Sequence, residues 1–336
     1  MSRITIPLLA FILISSVLIS LSLGRYPVSL HEIIMFFGNK FFGVSGLSPD
    51  KKALLENLLL NIRLPRILAA ALIGAALATS GSAFQAMFIN PLVSPGLLGV
   101  LAGASFGAVL GMMIAKSWIV VQMMTVFFGL VAVSVAVGIA KVYRINAAIM
   151  LILGGIISGA FFTSLVSVMK YAADPYKQLP EIVYWLMGNL SLVDRGTVLN
   201  VSIPICIGII GLMFHTRQLN VLSMGEEEAR SLGINVERVK LVVIFLATLI
   251  CALTVMLGGM IGWVGLIIPH ICRMIVGPNN VVLLPASALV GASYLIIVDN
   301  VSRLAFPFEI PIGIVTSLIG IPFFAFVLKN ARRGWH

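Results

Sequence analysis

The sequence predicts an all-α, polytopic membrane fold, and three observations carry the prediction. From Ile67 to Ala115 there is no Asp, Glu, Lys or Arg, a run about twice the roughly 20 residues that one bilayer crossing needs. Its middle, Asn90-Pro91-Leu92-Val93-Ser94-Pro95-Gly96, carries the Pro and Gly of a turn and divides it into two spans. Composition agrees, with 60% hydrophobic and 10% charged residues and a mean hydropathy of +1.11, where charged residues make up about a quarter of a soluble domain. Helices rather than strands follow because a helix satisfies its own backbone hydrogen bonds in lipid, and no segment alternates like the ten-residue strand of a barrel.

The elements follow in order. Ile4–Gly24 is charge-free and longer than the apolar core of a secretory signal, so it reads as a retained first span. Arg25 to Arg66 is the longest polar stretch, partly amphipathic and too short to bury a core of its own. The two spans of the long run come next, then Ser117–Ala140, Ile145–Met169 and Gly196–Thr216. Leu241–Cys272 is too long for one crossing, and Gly258, Gly259 and Gly262 divide it, leaving a short span to about Val276. Gly277-Pro278-Asn279-Asn280 breaks the chain before a span to Val298, and Ile310–Leu328 closes it. The expectation is about ten transmembrane helices in a single domain over residues 1–336.

Gly99, Gly103, Gly107 and Gly111 repeat at four-residue spacing, and Gly155 and Gly159 repeat the device. Such stripes let helix backbones approach closely in a bundle. An even number of spans puts both termini on one side, and short cytoplasmic loops should carry the excess of Lys and Arg. Here the 22 basic residues divide evenly between the sides, leaving positive charge outside, notably at Arg63, Arg66 and Arg303. Lys170 to Arg195, with Tyr184 and Trp185 beside apolar residues, reads as a short helix anchored at the outer interface.

Absences narrow the chemistry. There is no Gly-x-x-x-x-Gly-Lys-Ser/Thr loop to cradle a nucleotide and no His-Glu-x-x-His helix. Cys206, Cys251 and Cys272 match neither a zinc site nor a paired framework. A proton-coupled carrier needs ionisable groups deep in its spans, and here Asp299 and His270 are the nearest candidates, His270 reading as a packing residue. The loop from Ser223 to Lys240 carries its own structure. Ser223-Met224-Gly225-Glu226 reads as a capping box, Glu226 and Arg230 as a pair at four-residue spacing, Gly233 as a helix stop and Asn235 as the cap of a second short helix. Two short helices in one loop make a rigid knob.

Several blocks together resemble the FecCD-like permease family of type II ABC importers, which carry ferric siderophores, haem, cobalamin and related metal chelates. They are Arg63-Leu64-Pro65-Arg66, Gly74-Ala75-Ala76-Leu77, Ser80-Gly81, Gln85, Asn90-Pro91-Leu92, Pro95, Leu98-Gly99-Val100 and Gly103-Ala104. Later come Gly225-Glu226, Ala229-Arg230, Leu232-Gly233, Gly262-Trp263-Val264-Gly265-Leu266, Pro269-His270, Pro285 and Gly291-Ala292. The chain closes with Asp299, Arg303, Pro311-Ile312-Gly313, Thr316 and Gly320-Ile321-Pro322-Phe323.

The resemblance implies a ten-helix permease of the bacterial or archaeal cytoplasmic membrane. It implies a homodimer around a translocation path, two ATP-binding cassette ATPase subunits inside and a periplasmic or extracellular solute-binding protein outside. No nucleic acid is implied and no cofactor of its own, ATP being bound and hydrolysed by the partner subunit. Ser223, Gly225, Glu226, Ala229, Arg230, Leu232 and Gly233 then match the cytoplasmic coupling helices, at about 223–240. Arg63, Arg66 and Arg303 match arginines that pair with carboxylates of the binding protein. Asn90, Pro91, Leu92, Asn146 and Ala147 match the inner gate, although a cobalamin permease has a hydroxyl-rich turn where this chain reads Ile145-Asn146-Ala147-Ala148. The stretch from Asp174 to Leu190 looks most similar to a branch that includes a molybdate and tungstate importer, with ferric siderophore and haem close behind. The competing class is an ion-coupled secondary transporter.

Overall fold

The computed structural model describes residues 2–43, 47–115, 117–142 and 147–331. Its elements are α1 (Ser2–Ser22), α2 (Leu30–Phe42), α3 (Pro49–Glu56), a π-helical segment (Asn57–Arg63), α4 (Leu64–Met87), a 3-10 turn (Pro95–Leu98), α5 (Val100–Ile114), α6 (Trp118–Val142), α7 (Ala147–Ala172) and α8 (Gln178–Leu186). There follow α9 (Arg195–Phe214), α10 (Thr216–Leu222), α11 (Glu226–Ser231), α12 (Val236–Gly258), α13 (Val264–Val276), α14 (Asn280–Leu304) and α15 (Ile312–Ala331). No strand occurs among the described residues. Every apolar segment expected from the sequence coincides with a helix. Among the described residues, seven helical stretches are long and apolar enough to cross a bilayer, and Val100–Ile114, Val264–Val276 and Ile312–Val327 are shorter apolar helices.

At the centre lies α4, buried along nearly its whole length. It packs most extensively against α14, then against α12, α13 and α9. Lipid tails are as apolar as leucine, so nothing squeezes helices together in a membrane, and close fit has to hold them. Here the fit is backbone against backbone. A Cβ on Gly74 would collide with the carbonyl of Gly291 on α14, and one on Gly81 with the carbonyl of Gly265 on α13. The predicted glycine stripe works the same way, Gly103 and Gly107 facing the carbonyls of Phe128 and Met124 on α6 and Gly155 facing Leu97. Packing, rather than cargo contact, accounts for it.

Three elements went unread in the sequence. Ser29 and Glu32 form a capping box at the start of α2, the Ser29 hydroxyl accepting from the Glu32 N–H (3.2 Å) and the Glu32 carboxylate from the Ser29 N–H (2.9 Å). Lys51 adds an ion pair at 2.5 Å, and with the Ser29 bonds it holds the Glu32 carboxyl down at about 2. The second is the helix that precedes α4 without a break through the π segment. Pro65 has no N–H to donate, and a wider turn ahead of it accommodates the missing bond. That turn also aligns Leu55, Leu59 and Arg63, all buried. The third is α10, discussed below.

Elsewhere α1 is tied into the bundle by packing on α14 and by Ser20 Oγ donating to Asn300 Oδ1 (2.8 Å). In the predicted anchor helix, α8, Tyr184 is exposed but Trp185 is buried, with Gly259 against its carbonyl, so Trp185 packs α8 onto the turn after α12. Cys206 is exposed on α9, and Cys251 and Cys272 are buried.

Replacing Gly74 by Val should cost about 1–3 kcal/mol or more through overpacking, read as a lowered thermal midpoint in detergent. Gly138→Ala on α6, where no atom lies within 4 Å, should leave the midpoint unchanged or raise it, since Ala stabilises a helix interior over Gly by up to about 1 kcal/mol.

Candidate functional site

The predicted site residues fall at the two ends of α4, which at 1.5 Å rise per residue stand roughly 35 Å apart. At the end assigned to the outside, Arg63 directs its guanidinium into the last carbonyls of α1. It donates to Leu21 O, to Ser22 O (3.2 Å) and, beyond the helix, to Tyr26 O. Those carbonyls have no partner within the helix, and a cation there also meets the negative end of its dipole. Arg66 donates Nε to Asp299 Oδ1 (2.9 Å) and Nη1 to Glu309 Oε2 (2.9 Å). Arg303 places Nε 3.1 Å from Asp299 Oδ2 and gives Nη2 to Ser20 Oγ (3.2 Å) and to Asn300 Oδ1. Asp299 is 1% exposed.

Arg63, Arg66 and Arg303 are buried, and each is turned inward to partners in its own chain. Together they fasten α1, α4, α14 and the segment leading to α15. The same segment is held by Arg25 Nη2 donating to Pro307 O (2.7 Å) and by Ile310 N donating to Ser302 O (3.1 Å). Asp299, the carboxylate nearest the apolar interior, is shared by two arginines, a structural arrangement.

At the other end, α4 finishes at Met87 and the chain turns through Ile89 in the left-handed region (φ 51°), with Asn90 N donating to Gln85 O (3.1 Å). A β-branched residue there costs about 1–2 kcal/mol. Asn90 Oδ1 accepts the Leu92 N–H (2.9 Å), a turn that leaves the Leu92 side chain exposed while Val93 is buried. Pro91 and Asn90 border the same cavity as Ser223, so the expected gate loop and the expected coupling knob meet at one end of the bundle. Asn146 lies outside the described residues, and Ala147 begins α7.

Two short helices do occur here, but they are α10 and α11, so the pair begins ahead of Ser223 rather than at it. Ser223 does not cap α11. It ends α10, donating its hydroxyl to Asn220 O (2.6 Å), and Gly225 (φ 134°) takes the cap position of α11. Glu226 and Arg230 do not pair. Glu226 meets Lys240 and Arg230 reaches Glu237 (3.5 Å), so both clip α11 to α12 rather than bracing α11 along its own length. A six-residue helix offers little to hold, whereas the neighbouring α12 is anchored by a long buried stretch. Gly233 (φ 79°) does stop α11, with Gly233 N donating to Arg230 O (3.0 Å) and Ile234 N to Ala229 O (3.0 Å). Asn235 caps as expected, accepting from Arg238 N (3.0 Å), but what it starts is the first turn of α12. Ala229 is buried, and Met224 and Leu232 stand exposed on either side of α11. Asn220 Nδ2 donates to Asn279 Oδ1 (2.8 Å) and Asn220 Oδ1 accepts from Asn280 N (2.7 Å), fixing α10 to the start of α14.

The model of the FecCD transport family matches residues 12–330. The molybdate import system permease protein MolB of Haemophilus influenzae is 38% identical over 326 residues, covering 97% of this chain and 95% of that protein. The hemin transport system permease protein HmuU of Yersinia pestis is 38% identical over 282 residues, covering 81% and 83%. The cobalamin import system permease protein BtuC of Halobacterium salinarum is 36% identical over 271 residues, covering 80% and 72%. A solved structure described as an inward-facing metal-chelate type ABC transporter superposes with a TM-score of 0.85 at 37% identity, covering 97% of this chain and 98% of that one.

Asp299→Asn should leave Arg66 and Arg303 without their shared counter-charge and cost about 3–5 kcal/mol, read as a fall in thermal midpoint. Glu56→Gln, which breaks the exposed 2.5 Å pair with Lys40, should leave the thermal midpoint essentially unchanged.

Proposed function

Because this chain belongs to the FecCD transport family, we propose that it is the membrane-spanning permease subunit of a binding-protein-dependent ABC importer. In this reading all ten apolar helices cross, α5, α13 and α15 included, with both termini in the cytoplasm. Short helices beside glycine-rich breaks are tolerated at membrane depth where protein surrounds them. Two copies form a homodimer whose shared axis is the path, a separate ATPase pair supplies the energy, and a solute-binding protein delivers the cargo.

The single observation that carries the reading is the family match over residues 12–330. The geometry supports it: α10 and α11 form a short-helix knob clipped to α12 and α14 and tipped by exposed Met224 and Leu232, a shape suited to a cleft in a partner. Leu92, exposed on its braced turn beside the knob, suits a gate that closes against its symmetry mate. At the outer end the buried arginines keep one net positive charge after Asp299 and Glu309 are counted, and with Arg25 they give the docking face a positive field that steers an acidic partner. Direct pairing of Arg63, Arg66 or Arg303 with a partner carboxylate belongs to a state in which that arginine has left its internal partners.

For cargo we favour molybdate or tungstate over ferric siderophore, haem or cobalamin. The support is the near end-to-end match with MolB, where the HmuU and BtuC matches stop at about four-fifths of this chain.

Vesicles holding the chain, its ATPase and its loaded binding protein should take up radiolabelled molybdate only with ATP, and uptake should survive collapse of the membrane potential. Uptake by this chain alone, driven by an ion gradient, would make it a secondary transporter. Iron or cobalt in place of molybdenum or tungsten in the native binding protein would change the cargo and leave the importer reading intact.

Leu92→Cys, in a background with the native cysteines replaced, should form a disulfide between protomers in one nucleotide state. A monomeric band in every state would remove the gate assignment.

A further inference from the structure

An open cavity of about 260 Å³ lies at the end of the bundle that bears α10 and α11, bordered by Gln85, Asn90, Ser223, Arg273 and Asn280. Its donors outnumber the partners the chain gives them. Arg273, in the last turn of α13, makes one hydrogen bond, Nη2 to Gln85 Oε1 (3.2 Å), and forms no ion pair with a carboxylate among the described residues. A guanidinium carries five N–H donors, so four remain. Gln85 is buried and fixed by its own Nε2, which donates to Leu266 O (3.3 Å), so its oxygen sets the direction of the guanidinium.

Asn280, which borders the same cavity, adds a second donor. It is 2% exposed, and its Oδ1 is buried without a partner. The oxygen is the enclosed atom, and Nδ2 makes no hydrogen bond among the described residues, so the NH2 group is available to a ligand. Asn90 spends its oxygen on the Leu92 N–H and keeps its Nδ2 donors free.

We propose that this cavity binds a tetrahedral oxyanion. Two N–H groups of Arg273 grip two of its oxygens in the bidentate geometry that guanidinium and phosphate-like anions share. The Nδ2 groups of Asn90 and Asn280 complete the cradle, and water, at about 30 Å³ per molecule, fills what remains. The anion supplies the counter-charge that a partly buried arginine otherwise lacks. Occupation braces the start of α14, where Asn220 of α10 is already hydrogen-bonded, and so stiffens the base of the knob. The inference does not rest on the cargo, since free phosphate, a transported oxyanion and a lipid headgroup present the same chemistry.

Equilibrium dialysis of the full-length chain in detergent, at low ionic strength, against radiolabelled inorganic phosphate and molybdate tests it. One saturable site per chain is expected, weakened about ten-fold or more in Arg273→Gln and also weakened in Asn90→Asp, which keeps the oxygen that accepts from Leu92 N–H and removes the Nδ2 donors. Equal thermal midpoints for wild type and variants without anion, with phosphate raising only that of wild type strongly, complete the expected result. In nanodiscs, displacement of phosphate by phosphatidylglycerol but not by phosphatidylcholine assigns the site to a lipid headgroup. Retention of phosphate in both assigns it to a free oxyanion. The proposal is overturned if wild type binds neither anion saturably, or if Arg273→Gln binds as wild type does. It is equally overturned if neither anion binds and Arg273→Gln instead weakens assembly with the ATPase, which would make Arg273 a protein contact.

Discussion

The whole arrangement depends on how closely helix backbones approach α4. In a bilayer the hydrophobic effect places helices in the membrane but does not pack them, so contact area and small residues decide which helix meets which. Gly74 against Gly291 and Gly81 against Gly265 bring α14 and α13 to backbone contact on α4, and that contact sets where everything at its ends can lie. The arginine cluster assembles because α14 carries Asp299 and Arg303 alongside Arg66. The cavity at the far end exists because α13 delivers Arg273 beside Gln85.

What the sequence made legible was whatever depends on neighbours in the chain. Apolar runs and Gly/Pro breaks located every apolar helix, and the caps at Gly233 and Asn235 follow from local residue types. The capping box at Ser29 and Glu32 was equally local and was simply not read in a stretch that looked like polar loop. The Ser223 box failed for a physical reason. Two turn chemistries competed for one hydroxyl, and closing α10 behind it took precedence over opening α11 ahead of it.

Partners far apart in sequence were beyond such reading. Arg66 finds its carboxylates 233 and 243 positions away, and no periodicity announces that. The even division of basic residues between the two sides left an excess of charge outside, and its arginines turn out to be occupied within the chain: one closes a helix terminus, and two share a buried aspartate. A charge counted along the chain reads as surface until its partner is located, and burial inverts what the count implies about who it meets.

The π-helical segment Asn57–Arg63 sets a phase. Upstream, α3 is a short polar helix with one buried residue, whereas downstream α4 is buried along nearly its whole length, and the wide turn lets a single unbroken rod serve both surroundings. One residue added just ahead of that turn, where the rod is α-helical, would swing everything upstream by about 100° relative to α4. Leu55 would leave its socket while Leu59 and Arg63, on the α4 side of the insertion, kept theirs. An added residue there is therefore a rotation rather than an extension, and the seam's residue count is as much a structural specification as the identity of any side chain in it.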